Sequence, residues 1–228
     1  MRWPGHADGH ADATLMSQPD PLELAYAHGD CIVAVKPSGL LAVPGRGEHG
    51  RDCLATRVQA AFADALVVHR LDMATSGLML FARGVPAQRR LSQAFAQREV
   101  HKRYVAVVRG RLAATRGEID LPLIADWPNR PRQKVDPQCG KPSLTRYRVV
   151  DYDADRNTTR LELEPVTGRA HQLRVHLMAI GHPIVGDALY APPEVQAGAD
   201  RLLLHATSLR FMHPVNGTPV QVDSTAPF

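Results

Sequence analysis

The sequence predicts an α+β fold. Apolar and alternating runs of strand length recur along most of the chain, helical periodicity is confined to a few stretches, and no regular β-α alternation links them. A doubly wound parallel sheet needs that alternation and is disfavoured. With 228 residues the chain can form one large domain and bury a real core, and a hydrophobic content of 44% excludes a disordered polymer.

Taken in order, residues 1–20 are rich in His, Asp, Gly and Ala without periodicity and read as a flexible N-terminal tail. From residue 21 to 228 no Gly/Ser-rich linker and no repeat interrupts the pattern, so a single domain is expected. CIVAVKP is a short apolar strand closed by Pro37. LVVH runs into a polar loop, and LMLFAR leaves it. RYVAVVRG ends at Gly110, and TRYRVVDYD, TRLELEPV and LLLHATSLRFMHP alternate as half-buried strands do. RDCLATRVQAAFADA and PAQRRLSQAFAQRE have helical spacing, the second with Pro86 near its first turn. HQLRVHLMAIG fits either strand or helix, and Gly181 would cap a helix.

Composition narrows the class. No apolar run approaches the roughly 18 residues of a bilayer span, and the first 20 residues lack the apolar core of a signal peptide. Cys31, Cys53 and Cys139 are odd in number and far apart, which suggests a reducing, cytoplasmic setting without a disulfide framework or zinc knuckle. Net charge is only +4, but it is unevenly spread. Arg83, Arg89, Arg90, Arg98, Lys102, Arg103, Arg109 and Arg111 are opposed by Glu99 alone. Arg130, Arg132, Lys134, Lys141, Arg146 and Arg148 face Asp126 and Asp136. Two local basic excesses suit a polyanion, although a solvated surface would also explain them.

Four stretches look unlike plain packing. KPSGLLAVPG (36–45) fixes a turn. HRLDMATSG (69–77) ends an apolar strand in His69, Arg70 and Asp72, followed by Thr75; charges there are costly unless paired or functional. TGRAHQLRVHLMAIGHPIVGDALY (167–190) sets Arg169, His171, Arg174, His176, His182 and Asp187 among apolar residues. Arg174, read in a strand, would share a face with Gln172 and His176 and would hold a carboxylate, for which Asp72 is the expected partner. Tyr104 is the polar-tipped aromatic of RYVAVV.

These stretches together resemble the RluA family of RNA pseudouridine synthases. HRLDMATSG is similar to its catalytic motif HRLDxxTSG, KPSGL to its upstream motif, KRYVAVVRG to the strand carrying its tyrosine, and TGRAHQLRVHLMAIGHPIVGDALY with LLLHA (202–206) to its downstream motifs. They occur in family order over most of the chain. DWPNRPRQKV and GKPSLTRY are similar to a dual-specificity member acting on large-subunit (23S) ribosomal RNA and on tRNA anticodon loops. With only a short tail before the first core strand, no S4 domain is expected.

The resemblance implies a long, mostly antiparallel sheet with peripheral helices and a cleft across it. It implies Asp72 as the catalytic carboxylate at the target ribose, Arg174 as its ionic partner, and Tyr104 against the base, as a possible acceptor of the C5 proton. It leaves open attack at C1′, passage through a glycal, or addition at C6. Arg70 would reach into a stem-loop beside the flipped nucleotide, with His69, Thr75, Lys102, Arg130, Arg132, Lys134, Arg169 and His171 as further RNA contacts. One carboxylate suits an isomerase better than a glycoside hydrolase, which uses two. No cofactor, no metal, no membrane and no protein partner are expected, and the enzyme is expected to be a monomer. A metal hydrolase using His69, Asp72, His171, His176, His182 and His205 is disfavoured by spacing, since His171 and His176 lie five apart. An RNA-binding module or chaperone that has lost catalysis remains the alternative.

Overall fold

The computed structural model describes residues 21–45 and 50–228; the expected tail at 1–20 lies outside the described residues. Among the described residues a ten-stranded mixed sheet carries the fold. Its central path begins with β1 (Glu23–His28), β2 (Cys31–Lys36) and β4 (Ser76–Arg83). It continues through β11 (Leu204–Met212), β5 (His101–Arg109), β10 (Thr158–Pro165), β9 (Leu144–Asp153) and β6 (Arg116–Asp120). β3 (Ala65–Val67) pairs with β4, and β12 (Pro219–Asp223) with β11. All these pairings are antiparallel except β4 with β11. A separate hairpin joins β7 (Leu123–Ala125) and β8 (Gln133–Val135).

The first half of the sheet is covered on both faces, which is why β2 and β4 read as continuous apolar runs. Period-2 alternation divides them. Ile32, Ala34, Met79 and Phe81 pack with Leu54 and Val58 of α1 (Leu54–Ala61). Cys31, Val33, Leu78, Leu80 and Ala82 pack with Ala87 and Leu91 of α2 (Gly84–Ala96). α1 is shorter than its periodic window; it starts where Cys53 and Thr56 form a reciprocal cap. In the second half, Ala106, Val108, Leu161 and Leu163 pack with Leu173 and Leu177 of α3 (Gln172–Ala179). A short α4 (Pro193–Gln196) completes the helices.

The segment around Arg174 is therefore a helix, correcting the strand face shared with Gln172 and His176. Residues 172–177 are all buried, so neither a period of 2 nor one of 3.6 was visible. Their polar groups are satisfied internally. Thr167 Oγ1 and the Arg169 N–H donate to Gln172 Oε1, and Gln172 Nε2 donates to the Leu144 carbonyl and Thr145 Oγ1. His176 Nδ1 meets Thr145 Oγ1 and Nε2 meets the Leu121 carbonyl, each at 2.9 Å. Gly181 does cap the helix, with φ +83. None of the described helices is long and apolar enough to cross a membrane.

Candidate active site

A cleft of about 500 Å³ opens where the loop 68–75, the end of α2, β5 and the start of α3 meet. Asp72 enters it from the loop between β3 and β4. Leu71, 7% exposed, anchors that loop in the core, so Arg70 and Asp72 on either side both line the cleft. The KPSGL turn clamps the loop from behind. Fully buried Lys36 donates through Nζ to the carbonyls of Pro37, Leu40 and Met73 at 2.7–2.8 Å. Gly39 N–H also donates to the Met73 carbonyl, and Ser38 Oγ donates to that of Ala74. Burial lowers the Lys36 pKa to about 7. Gly77 fixes the other end of the loop: at φ +110, a Cβ there would run into the Ala206 backbone where β4 pairs with β11.

Asp72 and Arg174 do meet, but not as first partners. Arg174 holds Asp187 bidentately, Nε to Oδ2 at 2.8 Å and Nη2 to Oδ1 at 2.6 Å. Its remaining nitrogen, Nη1, stands 3.8 Å from Asp72 Oδ2. The expected primary partner is thus corrected to Asp187, whose buried Oδ1 also accepts the N–H groups of Leu189 and Tyr190. The consequence is chemical. A fully bonded carboxylate is a poor nucleophile, whereas Asp72 has a cation near and no hydrogen bond to either oxygen from the described residues.

His171 flanks the other oxygen, with Nε2 3.8 Å from Asp72 Oδ1. It sits in the left-handed region, φ 53, just before α3. Its Nδ1 meets Tyr190 Oη at 2.7 Å, and the Gln133 N–H donates to that same Oη at 2.8 Å. Burial lowers the His171 pKa, against the pull of Asp72, so the ring is neutral. The Tyr190 hydroxyl thus joins the Gln133 N–H to the His171 ring, whose other nitrogen faces Asp72.

Tyr104 lines the cleft and packs into both cores on this face of the sheet. Burial, then the Asp72 charge, pushes its pKa above the ordinary tyrosine value, so the phenolate is costly and the ring presents a neutral hydroxyl. His69 also lines the cleft, but its Nε2 accepts the Leu80 N–H at 2.9 Å and its ring stacks on Phe95. Burial, then Lys102, lowers its pKa to about 3, leaving it neutral. Thr75 is buried, and its N–H donates to the Asp72 carbonyl.

Of the other expected RNA contacts, Lys102 and Arg169 line the cleft, while Arg130, Arg132 and Lys134 lie exposed on or beside the β7–β8 hairpin, outside the cleft lining. The first basic excess is not one patch. Arg83 pairs with Asp64, and strand alternation sends Lys102 and Arg103 to opposite faces of β5. Sequence reasoning gave no role to Lys36, Asp187, Tyr190 or Phe95 and counted Arg98 only within the first basic excess; Lys36, Asp187 and Tyr190 lie inside the quoted motifs, where pattern alone does not separate support from chemistry. Among the described residues, no group of three or more His, Cys, Asp or Glu is gathered to hold a metal.

The RNA pseudouridylate synthase family model matches residues 30–179. This chain belongs to that family. It is an RNA pseudouridine synthase, an isomerase of uridine in RNA. The dual-specificity RNA pseudouridine synthase RluA of Escherichia coli strain K12 is 51% identical over 207 residues, covering 91% of this chain and 94% of its own. The Yersinia pestis enzyme of the same name is 52% identical over 203 residues, covering 89% and 98%. Human RNA pseudouridylate synthase domain containing 1 superposes with a TM-score of 0.77 at 30% identity, over 91% of this chain and 84% of that one. Human RNA pseudouridylate synthase domain containing 4 shares the fold, with a TM-score of 0.74 at 22% identity over 90% and 88%. The α+β fold and the isomerase reading from sequence stand, in preference to the non-catalytic alternative.

Proposed function

We propose that this synthase is a dual-specificity enzyme that isomerises uridines in stem-loops of large-subunit (23S) ribosomal RNA and of tRNA anticodon arms, acting as a cytoplasmic monomer without a cofactor. The half-identity to relatives named for dual specificity, over nearly their whole length, supports the substrate reading. The observation that carries the catalytic assignment is the environment of Asp72. It is the single carboxylate lining the cleft among the described residues, with both oxygens unbonded there and a cation and an imidazole each 3.8 Å away.

In this reading Asp72 acts at the ribose of a flipped uridine while Arg174, immobilised by Asp187, stands as a fixed cation 3.8 Å from the carboxylate. One carboxylate suffices because the uracil is retained and rejoined through carbon, so no water need be activated. Tyr104 lies against the base. Arg70 reaches beside the flipped nucleotide. Lys102, Arg169 and His171, with His69 and Thr75 in the wall, border the bound strand, and Arg130, Arg132 and Lys134 hold more distant phosphates.

The test uses transcripts of an anticodon stem-loop and a large-subunit ribosomal stem-loop carrying tritium at uridine C5. Wild-type protein is expected to release tritium from both, and Asp72→Ala from neither while still binding them. Release from only one RNA would remove the dual specificity; undiminished release by Asp72→Ala would remove the catalytic assignment.

A further inference from the structure

Two helices of this chain stop in the same way. At the end of α3, Gly181 N–H donates to the Met178 carbonyl at 3.0 Å and His182 N–H to that of Leu177 at 2.9 Å. At the end of α2, Arg98 N–H donates to the Phe95 carbonyl at 3.2 Å and Glu99 N–H to that of Ala94 at 2.9 Å. Both are left-handed caps, in which the turning residue must take positive φ. The α3 cap uses the residue such a turn favours, Gly181 at φ +83. The α2 cap uses Arg98 at φ 63. A Cβ is disfavoured there, and a bulky side chain in that conformation invites a functional question.

Arg98, exposed at the end of α2, is among the residues lining the cleft, as is Phe95. Among the described residues five cations line this cleft against one carboxylate, and they are not equally occupied. Arg174 is held by Asp187, and Arg169 Nε donates to the Pro142 carbonyl. Arg70, Arg98 and Lys102 have no side-chain hydrogen bond or ion pair among the described residues. Unpaired cations gathered in a confined space repel one another and want an anion.

We propose that Arg98, with Arg70 and Lys102, forms a phosphate subsite on the α2 wall that grips the RNA backbone next to the nucleotide entering the cleft. Arg98 is a positioning residue: it fixes the strand and takes no part in bond changes. The subsite rests on the RNA-modifying reading of the cleft. The competing explanation is a purely structural one, an arginine favoured near the last carbonyls of α2.

The two explanations differ in salt dependence. A phosphate contact releases a counterion when RNA binds, and a helix cap does not. The probe is the unmodified anticodon stem-loop transcript, with affinity measured between 50 and 200 mM KCl. Arg98→Gly, which suits the left-handed turn, should weaken binding and flatten the slope of log affinity against log salt by roughly 0.7–0.9, the share of one phosphate. Arg98→Lys should restore the slope, and in turnover the loss for Arg98→Gly should fall on KM rather than on kcat. An unchanged slope for Arg98→Gly, whether or not binding weakens, overturns the subsite. A wild-type protein that neither binds this transcript nor releases tritium from it or from the ribosomal stem-loop would instead overturn the reading on which the subsite rests.

Discussion

Tyr104 shows how the surroundings of one side chain restrict its chemistry. Its ring closes the two cores around the cleft, and burial together with the Asp72 charge disfavours the phenolate. A group held as a neutral phenol is a poor base, so the ring should matter more than the hydroxyl. Tyr104→Phe, which keeps the ring, is expected to retain most of the single-turnover rate on either RNA. Tyr104→Leu, which opens a gap beside the base, should lose far more. Equal loss in both would instead make the hydroxyl the acceptor of the C5 proton. Arg174 teaches the complementary lesson. Its side chain is 4% exposed and its charge is spent first on Asp187, so Asp72 feels a fixed cation without surrendering its lone pairs.

At the scale of elements, the site joins pieces far apart in sequence. The β7–β8 hairpin reaches Asp72 through the Gln133 N–H, Tyr190 Oη and the His171 ring. Tyr190→Phe removes the hydroxyl shared by both bonds, leaving the Gln133 N–H without its acceptor and His171 Nδ1 without its partner. We expect roughly a tenfold fall in single-turnover rate, about the ~1.4 kcal/mol worth of one hydrogen bond. The check is rapid-quench kinetics beside a thermal melt. A rate equal to wild type would mean that the His171 ring does not serve Asp72. The same reasoning explains which elements were readable in advance. β5, β9 and β10 each have one face less covered than the other, and their alternation declared them. α3 is buried all round, so the segment holding Arg174 gave no period, and only the Gly181 cap hinted at a helix.

For the whole molecule, the histidines set the response to acid. Burial, then Lys102, lowers the His69 pKa to about 3; burial, then Arg201, lowers that of His205 to about 4. Burial also lowers those of His171 and His176. All four are held below the ordinary histidine value near 6.5 in the fold, so unfolding lets them take up protons more readily as pH falls through that value. The unfolded state then binds more protons than the native state, so stability is present above pH ~6.5 and falls as pH drops toward 4. His69 and His205 alone account for about two protons near pH 5, a slope of about 2.7 kcal/mol per pH unit. Urea unfolding at pH 7 and pH 5 should show the midpoint dropping sharply; equal midpoints would show that these rings are not buried neutral.

The sequence by itself determined the fold class and the reaction, because those depend on local patterns: strand alternation, turn-forming Pro and Gly, and short motifs that hold Asp72, Tyr104 and Arg174 in order. It could not say who touches whom. That Arg174 belongs first to Asp187, that Lys36 clamps the Asp72 loop, and that His171 reports to Tyr190 depend on through-space distances between segments as far apart as Gln133 and Tyr190. Nor could it separate the basic residues that face the cleft from those spent on Asp64 or turned to the other face of β5. Charge is a property of the chain, but its direction is set by strand register and helix ends, and only the packed sheet fixes those.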